Sequence, residues 1–168
     1  GLPTRTEQAD LQLALYAGHG EFPRAVLAPG TLAEAYCLTR HAFNLADRTQ
    51  CPVFVLTDQY LIDSYYNTQA LALPDATPVQ YFVRTAAGYK RYGLTDTGVS
   101  PRGIPGFGDG LVVLDSDEHD EYGRITEDLD EVRPRMVEKR NRKTQGLLKE
   151  AKAPFWYGPR NAREVLIG

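Results

Sequence analysis

Only two cysteines, Cys37 and Cys51, occur in the 168 residues. Neither belongs to a Cys-x-x-Cys unit, so zinc or iron–sulfur ligation by this chain alone has no support. Such sparse thiol usage reads as a reducing compartment, the cytoplasm. No apolar run approaches the roughly 20 residues needed to cross a bilayer, and no membrane is expected as a partner. A Gly-x-Ser-x-Gly elbow is missing, and His19, His41 and His119 lie far apart, which leaves hydrolase chemistry without a basis. The glycine-rich dinucleotide fingerprint is absent. With a net charge of −3 the chain has no overall attraction to nucleic acid. No internal repeat is visible. There is no initiator Met, and Gly1-Leu2-Pro3-Thr4 lacks the charged-then-apolar layout of a signal peptide. At the other end, Val165-Leu166-Ile167-Gly168 reads as a strand that has only begun. Both ends are expected to be cut, leaving part of a larger assembly.

What is present is ordinary for a globular α/β protein: 42% hydrophobic and 24% charged residues. Residues 6–17 read as a helix with Thr6 as N-cap and Gly18-His19-Gly20 as its stop. Residues 24–28, apolar and bounded by Pro23 and Pro29, read as a buried strand. Thr31-Leu32-Ala33-Glu34 is a capping box, opening a helix whose stripe is Leu32, Ala35, Tyr36, Thr39, Ala42, Phe43 and Ala46. Val53 to Leu56 is apolar without alternation, the mark of a parallel strand covered on both faces. Strand, capped helix and strand form a βαβ unit. Its ligand crevice lies at the carboxyl ends of the strands, beside Thr57, Asp58 and the Ala28-Pro29-Gly30 turn. Residues 67–110 are a long excursion rich in Pro, Gly and Thr, with a strand at 80–84, and residues 111–114 predict another. From Asp115 to Glu131 nine residues are acidic and one, Arg124, is basic. From Arg133 to Lys152 eight are basic and two, Glu138 and Glu150, are acidic. A helix from about Val132 to Ala151 fits, its charges in the favourable sense for the helix dipole. Pro154 and Gly158-Pro159 mark a linker before the last strand.

Four constellations bear on chemistry. Gly108-Asp109-Gly110 has the look of a magnesium–diphosphate motif, but the Asn pair expected about thirty residues downstream is replaced by a single Asn141, so a turn is the better reading. Asp115, Asp117, Glu118, His119, Asp120 and Glu121 could gather a hard cation; their spacing fits no calcium loop, and a solvated loop paired with the basic helix is favoured. The basic helix itself reads as a neutralised, solvated face rather than a phosphate site. Thr4-Arg5-Thr6 precedes a helix, where backbone N–H groups and a guanidinium suit a carboxylate or phosphate. An N-cap with a surface arginine explains the same residues equally well.

Residues 1–11, Gly-Leu-Pro-Thr-Arg-Thr-Glu-Gln-Ala-Asp-Leu, resemble a run in the alpha subunit of 2-oxoacid:ferredoxin oxidoreductases of the 2-oxoglutarate synthase type. The resemblance continues in order through Pro52–Leu61, Ser100–Gly106, Glu118–Gly123, Met136–Arg140 and Tyr157-Gly158. It implies that residues 1–115 are the second half of a pyrimidine-binding domain of thiamine-diphosphate enzymes. Residues 116–153 would then be an acidic loop and linker helix, and residues 154–168 the start of a transketolase C-terminal-like domain. It implies oxidative decarboxylation of a 2-oxoacid with coenzyme A to acyl-CoA, carbon dioxide and reduced ferredoxin. It also implies that thiamine diphosphate and magnesium sit at the interface with a beta subunit, which carries the 4Fe–4S cluster. By the same resemblance Thr4, with Arg5 and Glu7 beside it, helps hold the 2-oxoacid. Asp58 is placed at the cofactor by its strand-end position. The rival expectation is a non-catalytic assembly module of the same fold.

Overall fold

The computed structural model describes residues 5–72, 79–152 and 156–166. It contains two small parallel sheets joined by helices. The first is the expected βαβ unit: β1 (Ala25–Leu27), α2 (Leu32–Thr49) and β2 (Val53–Val55), after a short α1 (Asp10–Leu15). Ala25, Val26 and Leu27 lie beside Val53, Phe54 and Val55 in parallel register. A five-residue α3 (Gln59–Asp63) follows β2. The second sheet pairs β3 (Phe82–Thr85) with β4 (Arg102–Gly108), also parallel. The last helix is α4 (Val132–Glu150). No described helix is long and apolar enough to cross a membrane.

Several expected boundaries change. The first helix begins at Asp10 with Ala9 as its cap, not at Thr6. The Asp10 carboxylate accepts from the Glu7 N–H at 2.9 Å, and the Asp10 N–H donates to the Glu7 carbonyl at 3.0 Å. That local turn fixes the start four residues late. The segment 111–114 is irregular rather than a strand. Gly108 (φ 116°) and a Gly110 N–H bonded to Thr85 Oγ1 at 3.2 Å carry the chain out of the ladder before it. Val165 and Leu166 are irregular and exposed, while Ile167 and Gly168 lie outside the described residues. β4 and α3 were not anticipated. β4 holds Pro105 and three glycines, a composition that reads as loop. At Gly103 any Cβ would strike the Thr85 methyl and the Tyr89 ring, so the close approach of β3 to β4 requires glycine there.

The elements meet at Gln50. It ends α2 in the left-handed region (φ 52°, ψ 45°), a place usually given to glycine. Its side chain explains the exception. Gln50 Nε2 donates to the Ser100 carbonyl at 2.6 Å, Arg91 donates to Gln50 Oε1 at 2.9 Å, and Lys143 Nζ donates to the Gln50 carbonyl at 2.8 Å. One residue thus ties α2 to the 89–101 connection and to α4. Around it, Arg102 pairs with Asp47 at 3.0 Å and Arg48 with Glu150 at 2.7 Å. Lys139, only 5% exposed, donates to the Gly98 carbonyl at 3.0 Å. Burial, and then the charges of Lys143, Arg91 and Arg140, push its pKa down to about 8, while the Cys51 thiol acts the other way. Keeping that ammonium charged in the fold costs on the order of 3 kcal/mol.

Among the described residues the buried apolar set is small: Ala14, Ala42, Leu45, Cys51 and Met136. The accessible surface is 13102 Å² for 18.7 kDa. A compact monomer of that mass exposes about 8,300 Å².

Two outcomes follow for stability. Gln50→Gly relieves the left-handed strain yet removes both side-chain bonds, and should lower the unfolding free energy by about 1–2 kcal/mol in urea titration; an unchanged midpoint would deny the residue its joining role. Between pH 8 and 10.5 the folded chain binds fewer protons at Lys139 than the unfolded chain does, so stability rises with pH across that window. Lys143, lowered mainly by burial, adds to the rise. Lys139→Met should shrink it in urea midpoints taken from pH 7 to 11, and an undiminished rise would locate the titrating group elsewhere.

Candidate functional site

The carboxyl ends of β1 and β2 open onto the first turn of α2 and onto α3. Thr31 sits in extended backbone (φ −138°, ψ 162°), and its Oγ1 accepts from the Glu34 N–H at 3.2 Å. Glu34 reaches back past the cap, and its Oε2 accepts from the Gly30 N–H at 3.0 Å. The capping box is thus closed one residue early, through Gly30. Across the crevice Asp58 caps α3, its Oδ1 accepting from the Leu61 N–H at 2.7 Å. Gln59 Nε2 donates to Asp63 at 2.7 Å and staples the same turn.

Between these two helix starts lies a hollow of about 280 Å³, lined by Gly30, Thr31, Leu32, Ala33, Leu61, Tyr66, Asn67, Thr68 and Leu71. Its walls are apolar, and its side-chain polar groups are hydroxyls and one amide. Such a site suits a flat, neutral or weakly polar ring, fixed by a few directional bonds. It does not suit a diphosphate. No Lys, Arg or His occurs between Arg48 and Arg84. The positive end of the α2 dipole, which would otherwise attract an anion, already holds the Glu34 carboxylate.

Of the residues singled out from the sequence, Thr4 lies outside the described residues. Arg5 and Thr6 are exposed, five and four residues ahead of α1, and no hydrogen bond joins Arg5 to the strand ends among the described residues. Asp58 is at the strand end as expected, but its carboxylate is occupied as a helix cap. Thr31, Tyr66, Asn67 and Thr68 were not foreseen as part of the crevice. Thr31 was readable as a cap, whereas nothing in the run after Asp63 marks residues that fold back over a helix start.

The two metal-like motifs resolve into structure. In Gly108-Asp109-Gly110 both remaining amides are spent on Thr85: Asp109 N–H on its carbonyl at 3.0 Å, Gly110 N–H on its hydroxyl at 3.2 Å. The acidic segment turns its carboxylates to local partners. Glu118 takes both prongs of Arg140 at 2.9 Å, and that guanidinium holds its carboxyl below the usual range. Glu121 accepts from the Leu94 N–H and from Lys90 at 3.0 and 3.2 Å. Asp120 caps the turn at Tyr122 and Arg124, and Asp128 that at Asp130 and Glu131. Among the described residues no three His, Cys, Asp or Glu side chains are grouped to hold a metal ion. The solvated loop paired with the basic helix is the structure found.

Residues 1–139 match the family model described as pyruvate flavodoxin/ferredoxin oxidoreductase, thiamine diphosphate-binding. A 2-oxoacid:ferredoxin oxidoreductase alpha subunit from Sulfurisphaera tokodaii is 38% identical over 99% of this chain and 27% of its own length. One from Saccharolobus solfataricus is 41% identical over 89% of this chain and 24% of its own. Among solved structures, the 2-oxoglutarate:ferredoxin oxidoreductase from Magnetococcus marinus with 2-oxoglutarate, coenzyme A and succinyl-CoA bound superposes with a TM-score of 0.76. It is 33% identical, with 91% of this chain and 27% of that one covered. The chain spans about a quarter of the length of these relatives.

Asp58 separates two roles by substitution. Asn caps nearly as well as Asp, and Ala does not cap. Asp58→Ala should speed hydrogen exchange at the Leu61 amide about fivefold, the equivalent of ~1 kcal/mol, while Asp58→Asn leaves it near the native rate. Equal exchange in all three would remove the cap assignment.

Proposed function

Because the chain belongs to the pyruvate flavodoxin/ferredoxin oxidoreductase family through its thiamine diphosphate-binding domain, we propose that it is part of the alpha subunit of a 2-oxoacid:ferredoxin oxidoreductase acting on 2-oxoglutarate. The reaction joins one 2-oxoacid and one coenzyme A, releases carbon dioxide and a proton, and passes two electrons to ferredoxin. The observation that carries this reading is the likeness along nearly the whole chain to the Magnetococcus marinus enzyme, which holds 2-oxoglutarate, coenzyme A and succinyl-CoA.

Thiamine diphosphate, when bound, supplies the stabilised carbanion that such decarboxylations need. The residues of this chain fit one half of that cofactor. The neutral hollow behind Thr31 suits its aromatic end, and the same hollow offers nothing to the diphosphate or to magnesium. We assign those two, together with the 4Fe–4S cluster, to a beta subunit. Thr4 and Arg5 are assigned to the substrate: a hydroxyl and a guanidinium hold the 2-oxoacid carboxylate, with Glu7 as a weaker neighbour. Asp58 acts on the cofactor site indirectly, by fixing α3 as one wall of the hollow. Residues 1–115 then form the second half of the pyrimidine-binding domain, and residues 116–153 carry the chain toward the domain that begins at residues 154–168. The assembly works in the cytoplasm, with ferredoxin as acceptor.

The test is turnover by the full alpha–beta complex, with viologen or ferredoxin reduction followed in the presence of coenzyme A. The expected result is 2-oxoglutarate-dependent reduction by the complex and none by this chain alone. Thr4→Ala should raise KM for the 2-oxoacid about tenfold, the cost of one hydrogen bond to a charged group. A complex that reduces no dye with any 2-oxoacid leaves the non-catalytic assembly module as the reading.

A further inference from the structure

Apolar walls hold a flat ring only loosely, and a few polar groups set its orientation. Those groups work best when their own positions are fixed by a rigid element. Four side chains lining the hollow at the strand ends carry a polar group: Thr31, Tyr66, Asn67 and Thr68. Thr68 has spent its proton, since its Oγ1 donates to the Gln69 carbonyl at 2.8 Å. Tyr66 and Asn67 lie on irregular chain after α3, next to a fully exposed Tyr65. Thr31 differs from all three.

Thr31 is the N-cap of α2, held in extended backbone at the start of an 18-residue helix. Its Oγ1 accepts from the Glu34 N–H at 3.2 Å, which fixes the oxygen and uses one lone pair. A threonine hydroxyl also owns one donor. Among the described residues nothing accepts that proton. The cap thus leaves an O–H at a fixed origin on the wall of the hollow, able to turn toward a bound acceptor. An aminopyrimidine ring carries nitrogens that accept and cannot donate. Pressed against Leu32 and Leu61 with no donor, such a nitrogen would lose its water and gain no bond in return.

We propose that the Thr31 hydroxyl positions the pyrimidine ring of the cofactor, donating to a ring nitrogen while its oxygen holds the start of α2. The proposal rests on the cofactor reading of the hollow and adds to it the group that orients the ring. One side chain then ties that orientation to the helix whose far end is fixed at Gln50. Substitution separates the two functions of the hydroxyl. Serine keeps both, whereas an aspartate carboxylate keeps the cap and has no proton to donate.

The experiment uses the full-length alpha polypeptide with its partner subunit, stripped of cofactor, and calorimetry with two probes in the presence of magnesium. One probe is thiamine diphosphate; the other is the diphosphate of its thiazole half, which lacks the pyrimidine ring. Thr31→Asp should weaken thiamine diphosphate about fivefold or more, the loss of one hydrogen bond. Its affinity for the thiazole diphosphate and the thermal midpoint of the stripped complex should stay native, because the cap is kept. Thr31→Ser should bind both probes as the native complex does. Native affinity for thiamine diphosphate in Thr31→Asp overturns the proposal. Equal weakening of both probes overturns it as well, since the change would then act through the frame of the site rather than the ring. So does a Thr31→Ser complex as weak as Thr31→Asp, which would assign the effect to the methyl group. These three outcomes leave the cofactor reading standing. A native complex that binds neither probe sinks that reading, and the proposal with it.

Discussion

Gln50 is the fixed point of the structure. Its left-handed backbone costs about 1–2 kcal/mol in a residue with a Cβ. Three hydrogen bonds offset that cost, two of them from cationic side chains. The joint brings together parts of the chain 40 to 90 residues apart, namely the end of α2, the connection between β3 and β4, and the middle of α4. Glycine would turn the chain as well but would keep only the carbonyl bond to Lys143. The parallel β3–β4 pair depends on this joint because its connection contains no helix. It is held instead by Tyr89, which accepts from the Gly103 N–H and donates to the Pro101 carbonyl, and by Ser100 donating to Gly93.

The charge of the molecule is distributed around that point. Lys139, Lys143, Arg91, Arg102 and Arg140 gather at the C-terminal end of α2, whereas none of the described residues lining the hollow at its N-terminal end is cationic. The two ends of an 18-residue helix lie about 27 Å apart. One end is closed and tied by ion pairs and carbonyl contacts. The other presents a neutral hollow and exposed tyrosines. Binding sites are commonly placed on mobile edges of a rigid scaffold, and here the rigidity originates at the far end of the helix that forms the floor of the crevice.

What the sequence makes legible is local. Thr31 and Glu34 announce α2, the unbroken run Val53–Leu56 announces a parallel strand, and the split of charge between 115–131 and 133–152 announces α4; each signal lies within or beside the element it describes. β4 fails this test because its glycines answer to Thr85 and Tyr89 across the sheet, and nothing in 102–108 points to them. The helix predicted from Thr6 fails because Asp10 and Glu7 close a competing turn first. Asp58 shows a subtler ambiguity. An acidic residue at the end of a parallel strand is placed where ligands bind, and equally where the next helix needs a cap. Both roles ask for an oxygen acceptor at the same spot, so the pattern alone cannot separate them. The residues lining the hollow after Asp63 have no periodicity to read, since they are positioned by the turn that Asp58 and Gln59 make.

Glu34 occupies the helix start that faces the crevice. A helix of 18 residues presents about half a positive charge at its N-terminus, the natural seat for a phosphate. Here a carboxylate of the same helix bonds the Gly30 amide 3.0 Å away and fills that role. A diphosphate arriving at the strand ends would meet a negative charge, no compensating side-chain cation, and an apolar wall. A neutral ring would meet hydroxyls, an amide and aliphatic surface. The carboxylate that helps start α2 thus leaves the positive end of that helix less to offer an anion. The same carboxylate serves the start of α2 and the electrostatics of the crevice beside it.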